Sequence, residues 1–179
     1  MVERNRRRVD RVLDPSYVEN LGDRSIEDLR AMRDEAREVE TEMSFERRLC
    51  QARIDILRAE IDGRSGKRDT GLIDRLPEIL AQDSPGAPGP LPERAPDLSV
   101  PRNVDAPRRR VDEIAGDQAL ARLGRMQDAE IRELARTLEE YERGVSERRK
   151  SAQEAIDTIQ AEIVRRYVSG EADPSAALG

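Results

Sequence analysis

Two segments of this 179-residue chain, 102 positions apart, repeat one another on two faces at once. The first face is apolar. Leu29, Met32, Val39, Met43, Cys50, Ile54, Leu57 and Ile61 correspond at that offset to Ile131, Leu134, Tyr141, Val145, Ala152, Ile156, Ile159 and Ile163. Leu29, Ala36, Met43, Cys50 and Leu57 step by seven, the spacing of a coiled-coil seam. The second face is polar. Glu40, Ser44, Arg47, Gln51 and Asp55 recur as Glu142, Ser146, Arg149, Gln153 and Asp157. A seam this long on one helix is buried only by a partner helix or a second protein, and here the chain supplies a second copy of the same helix. The pattern predicts an all-α fold: a long two-helix antiparallel coiled coil with a pseudo-two-fold internal repeat, accompanied by short N-terminal and connecting helical segments.

Composition agrees. Charged residues make up 39% of the chain and aromatic residues 2%, too few bulky side chains for a thick layered core. The net charge of −6 argues against direct DNA binding, which needs a basic face. Arg6-Arg7-Arg8 and Arg108-Arg109-Arg110 are local exceptions that read as solvated charge. The chain has no His and one Cys, Cys50 on the seam. That excludes a Cys/His zinc site, a Ser–His triad and an intrachain disulfide. No apolar run approaches the ~20 residues of a membrane span, and no secretory signal is present, so a cytoplasmic chain is expected.

Along the chain, residues 1–24 form a basic N-terminal segment interrupted by Pro15. Ser25 supplies a helix cap, and the first coiled-coil helix spans 25–63, with Gly63 as its stop. Residues 69–82 carry Leu72, Ile73, Leu76, Ile79 and Leu80 on one side of a short amphipathic helix. Seven prolines make 83–107 a linker without regular hydrogen bonding. The second coiled-coil helix spans 111–168, with a possible restart near Gly116, and 169–179 is a flexible tail.

At about 100° per residue, Glu40, Ser44, Arg47, Gln51 and Asp55 fall within a band of about 80°, displaced by about 90° from the seam. Such residues flank a helix–helix interface. Charged flanking positions ordinarily make interhelical pairs of ~0.3–0.5 kcal/mol, but that role does not call for a Ser and a Gln at fixed places in both copies. The chemistry suits guanine. An Arg fork matches its O6/N7 edge, Asp or Glu accepts from N1–H and the exocyclic amine, and Ser and Gln suit phosphate or sugar oxygens. Doubling the set points to a ligand with two guanines and two phosphates.

The spacing Glu-x3-Ser-x2-Arg-x3-Gln-x3-Asp, complete in both copies, resembles the cyclic-di-GMP signature of the RsiG family, actinobacterial anti-sigma factors that hold the sporulation sigma factor WhiG inactive. The resemblance implies two stripes that bind a dimer of cyclic di-GMP and a loaded form that grips a WhiG-type sigma factor. No catalytic cofactor, metal or membrane is expected. Carried over, Arg47, Arg149, Asp55 and Asp157 would read guanines. Ser44, Ser146, Gln51, Gln153, Glu40 and Glu142 would complete the pocket. Leu120, Leu123, Met126 and the Leu72–Leu80 piece are candidate sigma-binding surfaces, with intramolecular packing as the alternative. Two rival functions are a structural coiled-coil adaptor with no nucleotide ligand and an enzyme acting on cyclic di-GMP. Against the enzyme, the acids lie along an open groove without a His or a nucleophile constellation.

Overall fold

The computed structural model describes residues 2–66 and 100–172. The expected 69–82 helix, the linker up to residue 99 and the tail from 173 onward lie outside them. Among the described residues the fold is all-α. Helix α1 is Val2–Leu13, α2 is Ile26–Arg64, α3 is Asp105–Ala115, α4 is Asp117–Ala121 and α5 is Asp128–Ser169. Short 3-10 turns cover Pro15–Val18, Leu21–Asp23 and Leu123–Arg125.

The chain divides into two compact units. One holds residues up to Met43 and from Glu147 onward, and the other is Ser44–Ser146. In the first, the α2 segment runs antiparallel to the α5 segment. Arg33 donates to Gln160 at 3.2 Å, and Arg30, earlier in α2, meets the Tyr167 hydroxyl further along α5. The apolar core here is Leu21, Leu29, Ile159 and Ile163, flanked by Tyr17, Ile26, Met32 and Tyr167. In the second unit the same direction holds, since Arg47 faces Glu142 while Arg64, later in α2, faces Asp128. Its core joins Cys50, Ile54 and Leu57 to Val111, Ala115, Leu123, Ile131, Ala135 and Leu138. Every member of the heptad series Leu29, Ala36, Met43, Cys50, Leu57 is fully buried, as is every member of Ile131, Leu138, Val145, Ala152, Ile159.

Three expectations need correction. The helix expected over 111–168, with its restart near Gly116, breaks twice: at Gly116, in extended backbone, and again at a 3-10 turn, Leu123–Arg125, that precedes a fresh start at Asp128. A side chain at Gly116 would meet the Asp112 carbonyl oxygen at 2.7 Å, so that junction is built for glycine. The linker does not extend to 107. Helix α3 begins at Asp105 and takes Pro107 into its first turn, where a missing N–H costs no helical bond. Finally, α2 passes through Gly63 and stops at Arg64, with Gly66 in the left-handed region (φ 65°) just beyond.

The repeat reaches beyond the coiled-coil segments. Arg6-Arg7-Arg8-Val9-Asp10 recurs as Arg108-Arg109-Arg110-Val111-Asp112, and Leu21-Gly22 recurs as Leu123-Gly124, again 102 apart. Both long helices open alike. The Ser25 N–H donates to Asp28 Oδ2 at 3.4 Å, and the Gln127 N–H donates to Glu130 Oε2 at 2.7 Å. Both close on a guanidinium clamp. Arg166 donates to the carbonyls of Leu21 (2.6 Å) and Gly22 (3.1 Å) while its Nε holds Glu162 at 2.8 Å. Its counterpart Arg64 (166 − 102) donates to the carbonyls of Leu123 (2.7 Å) and Met126 (2.6 Å), with Nε on Glu60 at 2.7 Å. In each unit one Arg fork satisfies the carbonyls of the turn that leads into the opposing helix.

Candidate functional site

The motif residues occupy both units. Glu40, Arg149, Gln153 and Asp157 lie in the first, and Ser44, Arg47, Gln51, Asp55, Glu142 and Ser146 in the second. In the first unit Arg149 Nη1 stands 3.5 Å from Glu40 Oε1, and the Gln153 amide donates to the same oxygen at 3.3 Å. In the second, Arg47 Nη1 stands 3.6 Å from Glu142 Oε1, and Ser146 Oγ donates to that oxygen at 2.8 Å. Each arginine thus meets the glutamate of the other motif copy, at nearly the same distance. This is what antiparallel packing does to a duplicated stripe.

The ten side chains sum to −2, from two Arg against two Glu and two Asp. The other two carboxylates are Asp55, half-buried, and Asp157, exposed. Two polar atoms of the stripe are buried with no hydrogen-bond partner among the described residues: Gln51 Oε1 in the second unit and Arg149 Nε in the first. An unsatisfied buried polar atom costs about 1–3 kcal/mol. Arg149 Nε is a donor that suits a phosphate oxygen or a purine O6/N7 edge, and Gln51 Oε1 is an acceptor that suits an amine or imino N–H.

The flank that carries the stripe is not the flank that binds the short helices. Glu38 and Glu42 hold Arg8 of α1, and Glu46 holds Arg110 of α3 through two bonds at 3.0 and 2.6 Å. On α2 these three glutamates lie about 140–180° around the helix from the stripe. Arg53, on the same flank, pairs with Asp112 of α3. Glu46 is fully buried, and Tyr141 OH also donates to it. Burial, then the carboxylates of Glu46 and Glu142, push the Cys50 thiol up to about 12, so it stays protonated at neutral pH.

The motif as read from sequence stops one residue step short. Arg58 and Gln160 (58 + 102) occupy the next stripe position three residues on. Arg58 pairs with Glu139 at 2.8 Å, and Gln160 accepts from Arg33. The i, i+3 continuation past Asp55 and Asp157 was the available signal. Leu120, Leu123 and Met126, candidates for a partner surface, instead pack into the core of the second unit, where Leu123 is buried. The Leu72–Leu80 candidate lies outside the described residues. No helix among the described residues is long and apolar enough to cross a membrane.

Two antiparallel copies of one amphipathic helix, each carrying the same polar stripe and flanked by short helices, define the chain as an all-α helical-pair protein. A family model described as RsiG-like matches residues 15–80 and 117–178, most of the chain, and the chain belongs to that family. Membership gives it an anti-sigma role and a sigma factor as partner. A comparison with curated proteins returns no match.

Proposed function

We propose that this anti-sigma chain is gated by cyclic di-GMP: two nucleotides occupy the paired stripes, and the loaded form sequesters a WhiG-type sigma factor in the cytoplasm, keeping its sporulation genes silent. The observation that carries the reading is the matched pair of Arg–Glu contacts, Arg149–Glu40 at 3.5 Å and Arg47–Glu142 at 3.6 Å. Both are longer than a charge-assisted hydrogen bond, and both arginines are about one-third exposed. Nucleotide edges can therefore take up guanidinium donors that the glutamates leave unused. Asp55 and Asp157 supply acceptors for the guanine N1–H and amine, and Gln51 and Arg149 bring the unsatisfied atoms a ligand would complete. The ligand acts as a switch only so far as it binds the sigma-competent state more tightly than the free one. No catalytic step is involved.

The test is a pair of substitutions read on two assays. Arg47→Ala and Arg149→Ala should each lower cyclic-di-GMP affinity at least about a hundredfold, roughly 2.7 kcal/mol, with the helical circular dichroism unchanged. Sigma association of the unsubstituted protein should rise sharply when the nucleotide is added. Micromolar binding retained by both variants would remove the site. Sigma binding indifferent to nucleotide would remove the switch and leave a coiled-coil adaptor.

A further inference from the structure

The two copies of the stripe end differently. Along α2, the positions following Asp55 are Arg58, Ala59 and Asp62, with Gly66 just past the helix end; on α5, the same positions following Asp157 are Gln160, Ala161, Val164 and Val168. The α2 end offers no exposed apolar side chain: Ala59 is buried, and Arg58 and Asp62 are polar. Past Gln160, the α5 end is apolar and exposed. Val164 is 48% accessible and Val168 84%, and Ala161 is exposed as well. These three residues sit at i, i+3 and i+7 on one face of an ordered helix, so they form a strip and not scattered single exposures. The strip is continuous with the motif. Asp157 and Gln160 line the same open groove, of about 640 Å³, as Ala161, Val164 and Val168.

We infer that the α5 face Asp157–Val168 is the docking surface for the sigma factor, with Val164 and Val168 as its apolar anchors. The inference rests on the sigma-sequestering reading above and names the surface that reading leaves open. Two features favour this occupant. First, a partner seated here reaches the end of the nucleotide stripe at Asp157 and the apolar strip in one contact, so that bound nucleotide and protein together form its footprint. Second, a sigma factor is a single asymmetric chain, whereas the stripes are near-copies. The valines mark the α5 copy of the stripe and not the α2 copy, and so fix which copy the partner binds. A second copy of this chain would need no such mark.

The experiment uses the full chain and the WhiG-type sigma factor. Val164→Gln with Val168→Gln removes the apolar surface without adding charge, at positions too exposed to affect the core. With saturating cyclic di-GMP, the double variant should bind the sigma factor at least tenfold more weakly by fluorescence anisotropy, while its own nucleotide titration stays within twofold of the parent. Asp62→Gln, at the matching place on α2, should change neither. Sigma affinity within twofold of the parent overturns the inference. So does an equal loss of nucleotide binding, which would make the strip part of the nucleotide pocket. A concentration-dependent dimer in sedimentation velocity that the valine changes abolish would also overturn it. Sigma binding that ignores nucleotide yet is lost in the double variant sinks only the nucleotide switch and leaves the docking surface standing.

Discussion

Helices α2 and α5 are two copies of one design that have been put to different uses. Their seams are equally buried and their stripes carry the same five residues. On the opposite flank they diverge. Where α2 has Glu38, Glu42 and Glu46, α5 has Glu140, Gly144 and Arg148. Both short helices carry the same Arg-Arg-Arg-Val-Asp sequence, and the arginine before the valine in each (Arg8, Arg110) finds its carboxylate on α2. A duplicated element that seeks a carboxylate partner follows the carboxylates. Symmetry in the sequence therefore fixes the seam and the stripe, while two substituted positions, Gly144 for Glu42 and Arg148 for Glu46, decide where the accessory helices dock.

The buried carboxylate offers the largest test of that difference. Glu46→Ala strips Arg110 and Tyr141 of a shared acceptor and should cost about 3 kcal/mol in urea unfolding. Arg148→Ala, at the matching place on α5, should cost under about 0.5 kcal/mol. Equal losses would mean that the glutamate does not anchor α3. The clamps come next. Arg166→Ala leaves the Leu21 and Gly22 carbonyls without their donor in a buried setting and should cost about 2 kcal/mol. Arg64→Ala, at the more open clamp, should lose visibly less, and the reverse order would break the correspondence between the two ends. Smallest is a pH effect. Arg165 and Arg166 together hold the Glu162 carboxyl down to about 2, below its ordinary 4.5. Because the folded value is the lower one, the stabilisation is complete above the ordinary carboxylate range and is lost as pH falls toward 2. Protection against hydrogen exchange at the end of α5, taken relative to the intrinsic rate at each pH, should fall across that window, and Glu162→Gln should reduce this pH dependence, with the Arg165–Glu171 pair supplying the remainder.

Much of this arrangement is legible in the residues. Seven-residue spacing of Leu29 through Leu57 dictates a buried seam, and the stripe follows from the same register. Gly116 and Gly124 were harder to weigh. A lone glycine costs a helix only about 1 kcal/mol against alanine, so neither by itself separates a break from a tolerated residue. The repeat settles it, because Leu123-Gly124 and Glu130 are the counterparts of Leu21-Gly22 and Asp28, the turn and cap that open α2. A start at Ser25 thus entails a start at Gln127. Docking of α1 and α3 was not legible in that way. It depends on Arg8 and Arg110 finding Glu38, Glu42 and Glu46, and charge runs in a chain that is 39% charged carry no address until the packing is known. The clamps were hidden for a related reason: backbone carbonyls, which Arg64 and Arg166 grip, leave no mark on a sequence.

The central claim is that the duplicated stripe holds nucleotide. Calorimetric titration of cyclic di-GMP into the intact protein tests it without a partner or a substitution. The account predicts micromolar or tighter binding at two nucleotides per chain. A flat thermogram, with no binding even at millimolar nucleotide, would contradict it.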